Sequence, residues 1–222
     1  MIPKGTYPVT ALFLKSDMIL ELQENAVLAG IYDRARTPIL PGQIEYDNED
    51  GYYNLGSWEG NPIDSFASMI TGIHVKNVTI CGKGVLDGRA DFENWWSRPK
   101  DKIRAWRPRM IFLNHCENIT VVGVTVQNSP AWNLHPYFSN QIRFLDMEVK
   151  GPANSHNTDG CDPESCTNVE IAGVHFSVGD DCIAIKSGKI YMGKKFKVPS
   201  KHIHIRQSWM QDGHGAVTVG SE

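Results

Sequence analysis

Hydrophobic and polar residues alternate in short runs along most of this chain. The runs are rich in Val, Ile, Leu and Phe, and Gly, Asn, Asp or Pro follows each of them. A period of two is typical of β-strands with one buried face. The 3.6-residue period of an amphipathic helix is almost absent, and we expect at most one short helix, within residues 90–106, where Pro99 interrupts the pattern. The pattern therefore predicts an all-β protein.

Many of the strand segments repeat one phrase, in which a polar residue, often Asn, precedes Val or Ile and an alternating run. It occurs in residues 76–88, 117–129, 140–151, 167–177 and 201–213, and its starts recur at Asn118, Asn140, Asn168 and His202. The spacing has a minimum of about 22 residues and grows where segments are inserted, which is typical of a solenoid with loops of variable length. Coils of such a solenoid stack about 4.8 Å apart. We predict a right-handed parallel β-helix that forms a single domain over residues 1–222.

A β-sandwich is the alternative fold, because it also consists of many short strands at regular spacing. Consecutive strands of a sandwich would be joined by hairpin turns such as Asp-Gly or Asn-Gly. Asp-Gly pairs occur at Asp87, Asp159 and Asp212, which is too few for one turn per strand pair. The solenoid is therefore favoured.

Composition narrows the class of protein but does not define its activity. With 41% hydrophobic and 21% charged residues the chain is ordinary for a globular protein, and its net charge of -3 gives no reason to expect a nucleic-acid or membrane partner. No apolar run is long enough to cross a bilayer, and the start, MIPKGTYPV, does not have the pattern of a signal peptide. The five cysteines lack metal-site spacing, so we predict that they are small interior residues.

Three polar phrases interrupt the repeats at intervals of about one coil. They are HNTDG at 156–160, GDD at 179–181 and GHG at 213–215. Asp180 follows Asp159 by about one coil, and His214 follows Asp180 by one coil if residues 189–200 bulge out as a loop. His135 precedes Asp159 by about one coil as well. We therefore predict that His135, Asp159, Asp180, Asp181 and His214 stack on successive coils of one face.

The adjacent acids Asp180 and Asp181 precede an apolar run that we predict to be a buried strand. A regular strand would send them to opposite faces and bury one carboxylate at high cost. We expect Gly179 to permit a bend that puts both on the same side. Three close carboxylates suit either Ca²⁺ binding or glycoside hydrolysis, in which crowding raises one pKa and keeps a general acid protonated. The neighbouring imidazole of His214 favours hydrolysis without excluding the metal site.

The phrases NTDG, GDDCIAIKSG and GHGAVTVGSE resemble, in order, three of the four signature segments of the polygalacturonases, glycoside hydrolase family 28. The residues near the start (IPKGTYPV) and NSPAWNLHP are similar to the family as well. The resemblance implies hydrolysis of α-1,4-linked galacturonate in pectic polymers with inversion, without cofactor or metal. It implies that Asp180 is the general acid, that Asp159 and Asp181 activate water, and that His214 supports the acid or positions the sugar.

The same resemblance points to four substrate-binding residues, each of which also has an ordinary structural interpretation. Asn157 contacts the sugar or caps a turn, and Lys186 contacts it or is the solvated end of a strand. Trp132 and His135 form a subsite, with Trp132 stacking on a sugar ring, or Trp132 fills the core. Four further lysines line the cleft or belong to a solvated loop: Lys189, Lys194, Lys195 and Lys197. The aromatic, Gly-rich residues 37–62 are expected to wall off one end of the groove, which would favour exo-cleavage.

One feature of the family does not occur in this sequence. The fourth signature, a basic Arg-x-Lys that grips the sugar carboxylate, is expected one coil after His214, and the sequence ends at Glu222 before that position. We therefore expect a domain that is incomplete at both ends of a longer protein, which would be secreted or periplasmic and monomeric. Two alternatives stay open, a Ca²⁺-dependent pectate lyase and a carbohydrate-binding β-helix without activity.

Overall fold

The computed structural model describes residues 1–221, and these residues form a right-handed parallel β-helix. Each full coil contributes to three sheets that run along the solenoid. Sheet 1 contains β3 (Met18–Leu22), β12 (Lys76–Gly82), β15 (Glu117–Val122), β18 (Asn140–Leu145), β20 (Thr167–Ala172) and β23 (Lys201–Arg206). Sheet 2 contains β1 (Gly5–Val9), β4 (Ala26–Gly30), β13 (Val85–Asp87), β16 (Thr125–Gln127), β19 (Glu148–Lys150), β21 (His175–Ser177) and β24 (Trp209–Gln211).

Sheet 3 completes the solenoid. It contains β2 (Leu12–Phe13), β11 (Ile70–Ile73), β14 (Ile111–Asn114), β17 (Leu134–Tyr137), β22 (Ile183–Ile185) and β25 (Val217–Val219). Single bridges at Cys161 and Glu164 connect β17 to β22. All strand pairs in the three sheets are parallel, which confirms the predicted solenoid over the sandwich.

Apolar side chains stack in rows along the interior because the same strand position recurs on each coil. One row is formed by Leu20, Ile80, Val121, Phe144 and Ile171, all of them buried. Burying each such side chain contributes about 1.5–3 kcal/mol to stability. The alternation read from the sequence therefore reports which residues face this core.

The polar residue that opens each repeat occupies a corner between sheets 3 and 1. The backbone at this corner is left-handed in coil after coil, at Asp17, Asn77, Asn118, Gln141, Asn168 and His202. Asn and Asp adopt this conformation more readily than most residues. Side-chain hydrogen bonds of 2.8 Å and 2.9 Å join Asp17 to Asn77 and Asn77 to Asn118. This geometry is the physical reason for the repeated phrase.

Residues 31–69 form a large insertion over the outer face of sheet 3. Its short strands pair antiparallel: β5 (Ile39–Leu40) with β10 (Ser65–Phe66), β6 (Gln43–Glu45) with β7 (Tyr52–Asn54), and β8 (Ser57–Trp58) with β9 (Asn61–Pro62). Tyr53 and Leu55 pack there against Phe112 and Tyr137 of sheet 3. The insertion therefore builds a second, smaller core outside the solenoid.

Helix positions were predicted wrongly. The one α-helix among residues 1–221 is α1 (Lys189–Phe196), within the segment that we expected to bulge as a loop. Its buried Met192 packs against the insertion, and the Met192 N–H donates to Gly60 O at 3.3 Å. Residues 90–106 contain turns instead of a helix, because the Asp91 carboxylate accepts from nearby backbone N–H groups and two tryptophans, Trp95 and Trp96, are buried beneath.

Two further predictions concern the cysteines and the membrane. All five cysteines are free, four of them buried and Cys81 half-buried, as expected for interior residues. Among residues 1–221, no helix has the length and apolar character needed to span a bilayer.

Candidate active site

Asp180 and Asp181 lie in a bend that precedes β22, so neither belongs to the buried strand. The backbone N–H of Asp181 donates to Asp180 Oδ1 at 3.0 Å, which orients the Asp180 carboxylate. The role of Gly179 differs from our expectation, because its φ is not in the left-handed region. A Cβ there would lie 2.4 Å from Ser155 O, so close packing between coils requires glycine.

Coil stacking brings Asp159 to this bend. Cys161 forms a parallel bridge with Ile183 on the next coil, and the Gly160 N–H donates to Asp181 O at 2.9 Å. One carboxylate oxygen from each of Asp159, Asp180 and Asp181 lies within 4.8 Å of the others. We call these three residues the acid trio.

His214 joins the acid trio from the next coil. Ile183 pairs with Val217, and the same register aligns Asp180 with His214. The His214 N–H donates to Asp180 O at 3.1 Å, and its Nδ1 lies 3.2 Å from Asp180 Oδ1. The His214 side chain is 70% exposed and that of Asp180 is 23% exposed. The spacing of the acids and His214 in the sequence thus predicted a real cluster.

Burial makes the acid trio electrostatically unusual. Asp159 is only 5% exposed, and burial, followed by the negative charge of Asp180, raises its pKa to about 7. The ammonium of Lys186 acts in the opposite direction. We expected crowding to raise the pKa of one of the three acids, and the acid whose pKa is raised is Asp159. Asp159 therefore holds its proton below about pH 7.

The acid trio lines a pocket of about 310 Å³. Its other walls are Trp58, Glu59, Trp132, Asn157, Lys186, Thr218, Val219 and Ser221. Trp58 comes from the β8–β9 hairpin and stacks on Trp132 with ring centroids 4.6 Å apart. Residues 37–62, expected to wall off the groove, thus contribute Trp58 and Glu59 to this pocket.

Two predicted subsite residues do not have the expected exposure. Trp132 lines the pocket but is 3% exposed, because Trp58 covers its ring and Lys186 Nζ lies 4.9 Å from the ring centroid. It therefore offers no open face to a sugar. His135 is 0% exposed and its Nε2 lies 2.9 Å from Glu164 Oε2.

The prediction of His135 as a pocket residue is corrected because of strand register. Leu134 pairs with Cys161, so His135 aligns with Asp162 and Trp132 aligns with Asp159. The coil between Trp132 and Asp159 is longer than the spacing read from the sequence, since the loop before Asp159 adds residues to it.

Asn157 and Lys186 both reach the pocket. Asn157 sits in a left-handed turn with φ of 55° and accepts a 2.7 Å hydrogen bond from Arg107, so it is a turn residue as well as a pocket residue. Lys186 is buried, with Nζ 3.5 Å from Asp162 Oδ1, and is not a solvated strand end.

The remaining lysines do not line the pocket of the acid trio, contrary to one of the two interpretations of the sequence. Lys189 pairs with Glu59 at 2.9 Å and Lys195 pairs with Asp50 at 3.5 Å, so both fasten α1 to the insertion. Lys194 and Lys197 are exposed.

Buried charged residues beneath the pocket were missed in the sequence. They are Arg107, Arg109, Asp162 and Glu164, each at most slightly exposed. The signal was present as charged residues at alternate positions around a proline, in RPR at 107–109 and in DPE at 162–164. Burial raises the pKa of Glu164 to about 7, against the charges of Arg109 and Lys186.

The oxygen-only donor set of the acid trio also fits a hard divalent cation such as Ca²⁺. With three carboxylates in reach of one point, this chemistry is an alternative use of the same side chains.

The chain belongs to glycosyl hydrolase family 28, whose family model matches residues 50–222. A probable polygalacturonase of Vitis vinifera is 32% identical over 224 residues, which cover 100% of this chain and 43% of that protein. An endo-polygalacturonase of Pectobacterium carotovorum subsp. carotovorum is 32% identical over 189 residues, which cover 80% of this chain and 44% of that protein. The chain thus spans less than half the length of these curated relatives.

Solved structures share the fold. A hyperthermoactive exopolygalacturonase from Thermotoga maritima superposes with a TM-score of 0.78 at 27% identity, covering 100% of this chain and 54% of that one. A family 28 exopolygalacturonase from Yersinia enterocolitica gives a TM-score of 0.80 at 23% identity, covering 100% and 44%. Both likenesses extend over the whole of this chain.

Proposed function

We propose that this protein hydrolyses α-1,4-linked galacturonate in pectic polysaccharides or oligosaccharides. The observation that carries the proposal is the acid trio, Asp159, Asp180 and Asp181, gathered within 4.8 Å at one pocket of a family 28 chain. Clustered carboxylates are costly at a protein surface, and glycoside hydrolysis needs such groups as acid and base.

In the proposed mechanism Asp180 donates a proton to the glycosidic oxygen as the bond to the anomeric carbon breaks. Asp180 is the suitable donor because it is more exposed than Asp159 and its carboxylate lies 3.2 Å from His214. The proton that Asp159 holds at its raised pKa of about 7 must pass to Asp180 before the glycosidic bond breaks, which leaves Asp159 ionised as the base. A water molecule held by Asp159 and Asp181 forms the new bond to the anomeric carbon and gives its proton to these carboxylates.

Substrate binding is assigned to the polar groups on the pocket wall. Lys186 supplies the positive charge for a galacturonate carboxylate, and Asn157 supplies an amide for a hydroxyl group. Trp58 replaces Trp132 as the aromatic wall, since it is half-buried and lies in front of the Trp132 ring. The hairpin bearing Trp58 narrows one side of the pocket, which favours attack near a chain end.

Direct displacement with inversion is part of the proposal, and the short distances between the carboxylates restrict where the water can lie. Inverting carboxylate pairs are typically about 6.5–9.5 Å apart and retaining pairs about 5–5.5 Å apart. The nearest oxygens of the acid trio lie within 4.8 Å of one another. Inversion then requires that the water lie beside Asp159 and Asp181 and that the sugar approach Asp180 from the open side.

We further propose that no metal or other cofactor takes part, and that the protein acts as a monomer outside the cytoplasm, where pectic polymers occur. The test is an assay on polygalacturonate with and without EDTA. We expect new saturated reducing ends, with no gain in ultraviolet absorbance and no effect of the chelator.

Each other outcome identifies a different activity. Ultraviolet-absorbing, unsaturated products that require Ca²⁺ would overturn the proposal in favour of a lyase. Binding of oligogalacturonide without turnover would identify a carbohydrate-binding β-helix instead.

A further inference from the structure

We infer that Arg107 and Arg109 are positioning residues with separate tasks in this pocket. Arg107 fixes the turn that carries Asn157 and Asp159, and Arg109 fixes the hairpin that carries Trp58. The consequence for catalysis rests on the proposed hydrolase function, whereas the two contacts themselves do not.

The Arg107 guanidinium joins two segments that have no regular strand of their own. Its Nη1 donates to Pro130 O at 2.6 Å and to His156 O at 2.8 Å, and its Nη2 donates to Asn157 Oδ1 at 2.7 Å. The planar fork of arginine suits this divergent set of oxygens, and an ammonium group could not reach all three in the same geometry. The turn 156–160 is thereby tied to the coil before it, close to the buried Asp159.

Arg109 makes the corresponding contacts on the other side of the pocket. Its Nη1 donates to Ser65 Oγ at 3.2 Å, and its Nη2 donates to Ser57 O at the start of the β8–β9 hairpin. The guanidinium carbon lies 5.1 Å from the centroid of the Trp132 ring and 5.7 Å from that of Trp58. This arginine therefore fixes the aromatic wall to sheet 3.

The extended segment 107–109 explains how two cations come to share one face. Alternate residues in an extended chain point the same way, so Arg107 and Arg109 project together around Pro108. Both are almost fully buried, and burial, with the charge of Arg109, lowers the pKa of Arg107 to about 10. Burying two neighbouring cations is unfavourable unless hydrogen bonds and opposite charges compensate them, and here the acceptors named above and the buried acids Asp159 and Glu164 do so.

The two arginines are expected to affect different kinetic constants. Displacing Asp159 disturbs the reacting geometry, and a displacement of about 1 Å can lower the rate by about 100-fold. Displacing Trp58 weakens a contact that the substrate makes equally in the ground state and in the transition state. Losing such a contact raises KM with little change in kcat.

Arg107→Lys and Arg109→Lys form a matched pair. Each keeps a positive charge at a buried position and loses the planar guanidinium that binds several oxygens at once. Hydrogen–deuterium exchange is measured on the whole chain of each variant. We expect Arg107→Lys to speed exchange in residues 153–160 and leave 54–63 unchanged, and Arg109→Lys to give the reverse pattern. Faster exchange at both segments in both variants, or at neither, would overturn the inference.

Kinetics on polygalacturonate supply the second readout. We expect Arg107→Lys to lower kcat about 10- to 100-fold with KM nearly constant, and Arg109→Lys to raise KM with kcat nearly constant. Equal changes in kcat and KM for both variants would show a merely structural role. If the unsubstituted protein hydrolyses nothing while the exchange patterns hold, the proposed function fails and the two contacts stand.

A second pair of variants covers the case in which a lysine variant does not fold. Asn157→Ala and Ser65→Ala each remove one acceptor from one fork and leave both arginines in place. The same segment-specific exchange patterns are expected, and their absence would contradict the inference.

Discussion

Two clusters of polar side chains recur at coil spacing in this solenoid, and their energetics are opposite. At the corner between sheets 3 and 1, Asp17, Asn77 and Asn118 are joined by hydrogen bonds of 2.8 Å and 2.9 Å. At the edge of sheet 3, the acid trio places like charges together, and the pKa of Asp159 is raised to about 7. Similar spacing in the sequence therefore yields a stabilising ladder in one place and an electrostatically strained site in the other.

The same chemical change should separate the two clusters most sharply. Asp180→Asn removes the proposed proton donor at constant shape, and we predict a loss of turnover of about 10²–10⁴-fold with little change in melting temperature. Asp17→Asn makes the same substitution in the corner ladder and should leave turnover unchanged. Initial rates on polygalacturonate and thermal melts of both variants test this prediction. An Asp180→Asn protein as active as Asp17→Asn would contradict the assignment of Asp180 as proton donor.

The pH dependence of activity follows from the proton that the acid trio retains. Since the pKa of Asp159 is raised to about 7, Asp159 loses its proton as the pH rises through about 7. We predict that kcat/KM falls about tenfold per pH unit above this point. A rate that climbs steadily from pH 6 to 9 would show that the trio does not need its proton.

Glu164 gives a related effect on stability, away from the reacting groups. Its folded pKa is raised from 4.5 to about 7, so the folded protein holds a proton that the unfolded chain releases, and stability falls as the pH rises between these values. Glu164→Gln mimics the protonated form. We predict that the stability of the variant, relative to the unsubstituted protein, increases from pH 5 to pH 7, by at most about 3 kcal/mol of unfolding free energy. Thermal and chemical denaturation across this range measure it, and a constant or decreasing difference would contradict the raised pKa.

The smallest expected effect belongs to the corner ladder. Asn118 has φ of 54° and hydrogen bonds to Asn77 and Arg143. Asn118→Ala loses these bonds and puts Ala in the left-handed region, so we predict a loss of about 1–2 kcal/mol with normal turnover. Asn118→Gly relieves the backbone cost and should be less destabilising. Chemical denaturation of both variants tests this prediction. A drop in turnover for either variant would contradict the view that the corner ladder contributes to stability alone.

The sequence reveals the parts of this molecule that repeat. Stacked rows such as Leu20, Ile80 and Val121 leave a period-two signal, and the left-handed corners leave a polar residue, often Asn, at the coil starts. The longer spacing from Asp180 to His214 was also predictable, because the coils that carry these two residues both contain the repeated phrase. Fold and acid trio were predictable for this reason.

Residues outside the repeat were not predictable from spacing. His135 was wrongly aligned with Asp159 because the length of the loop before Asp159 does not appear in a coil count. The contacts of Arg107 and Arg109 depend on how loops and the insertion fold over sheet 3, which no local pattern records. Helix α1 was missed because its stability comes from Met192 packing on that same insertion.

The central claim is that the acid trio hydrolyses a pectic glycosidic bond by direct displacement. Proton NMR of the first products from an α-1,4-linked galacturonate oligomer tests both parts at once. We predict a saturated product whose new reducing end is initially the β-anomer, because water enters opposite the leaving group. An α-anomer formed first would contradict direct displacement, and an unsaturated product would contradict hydrolysis itself.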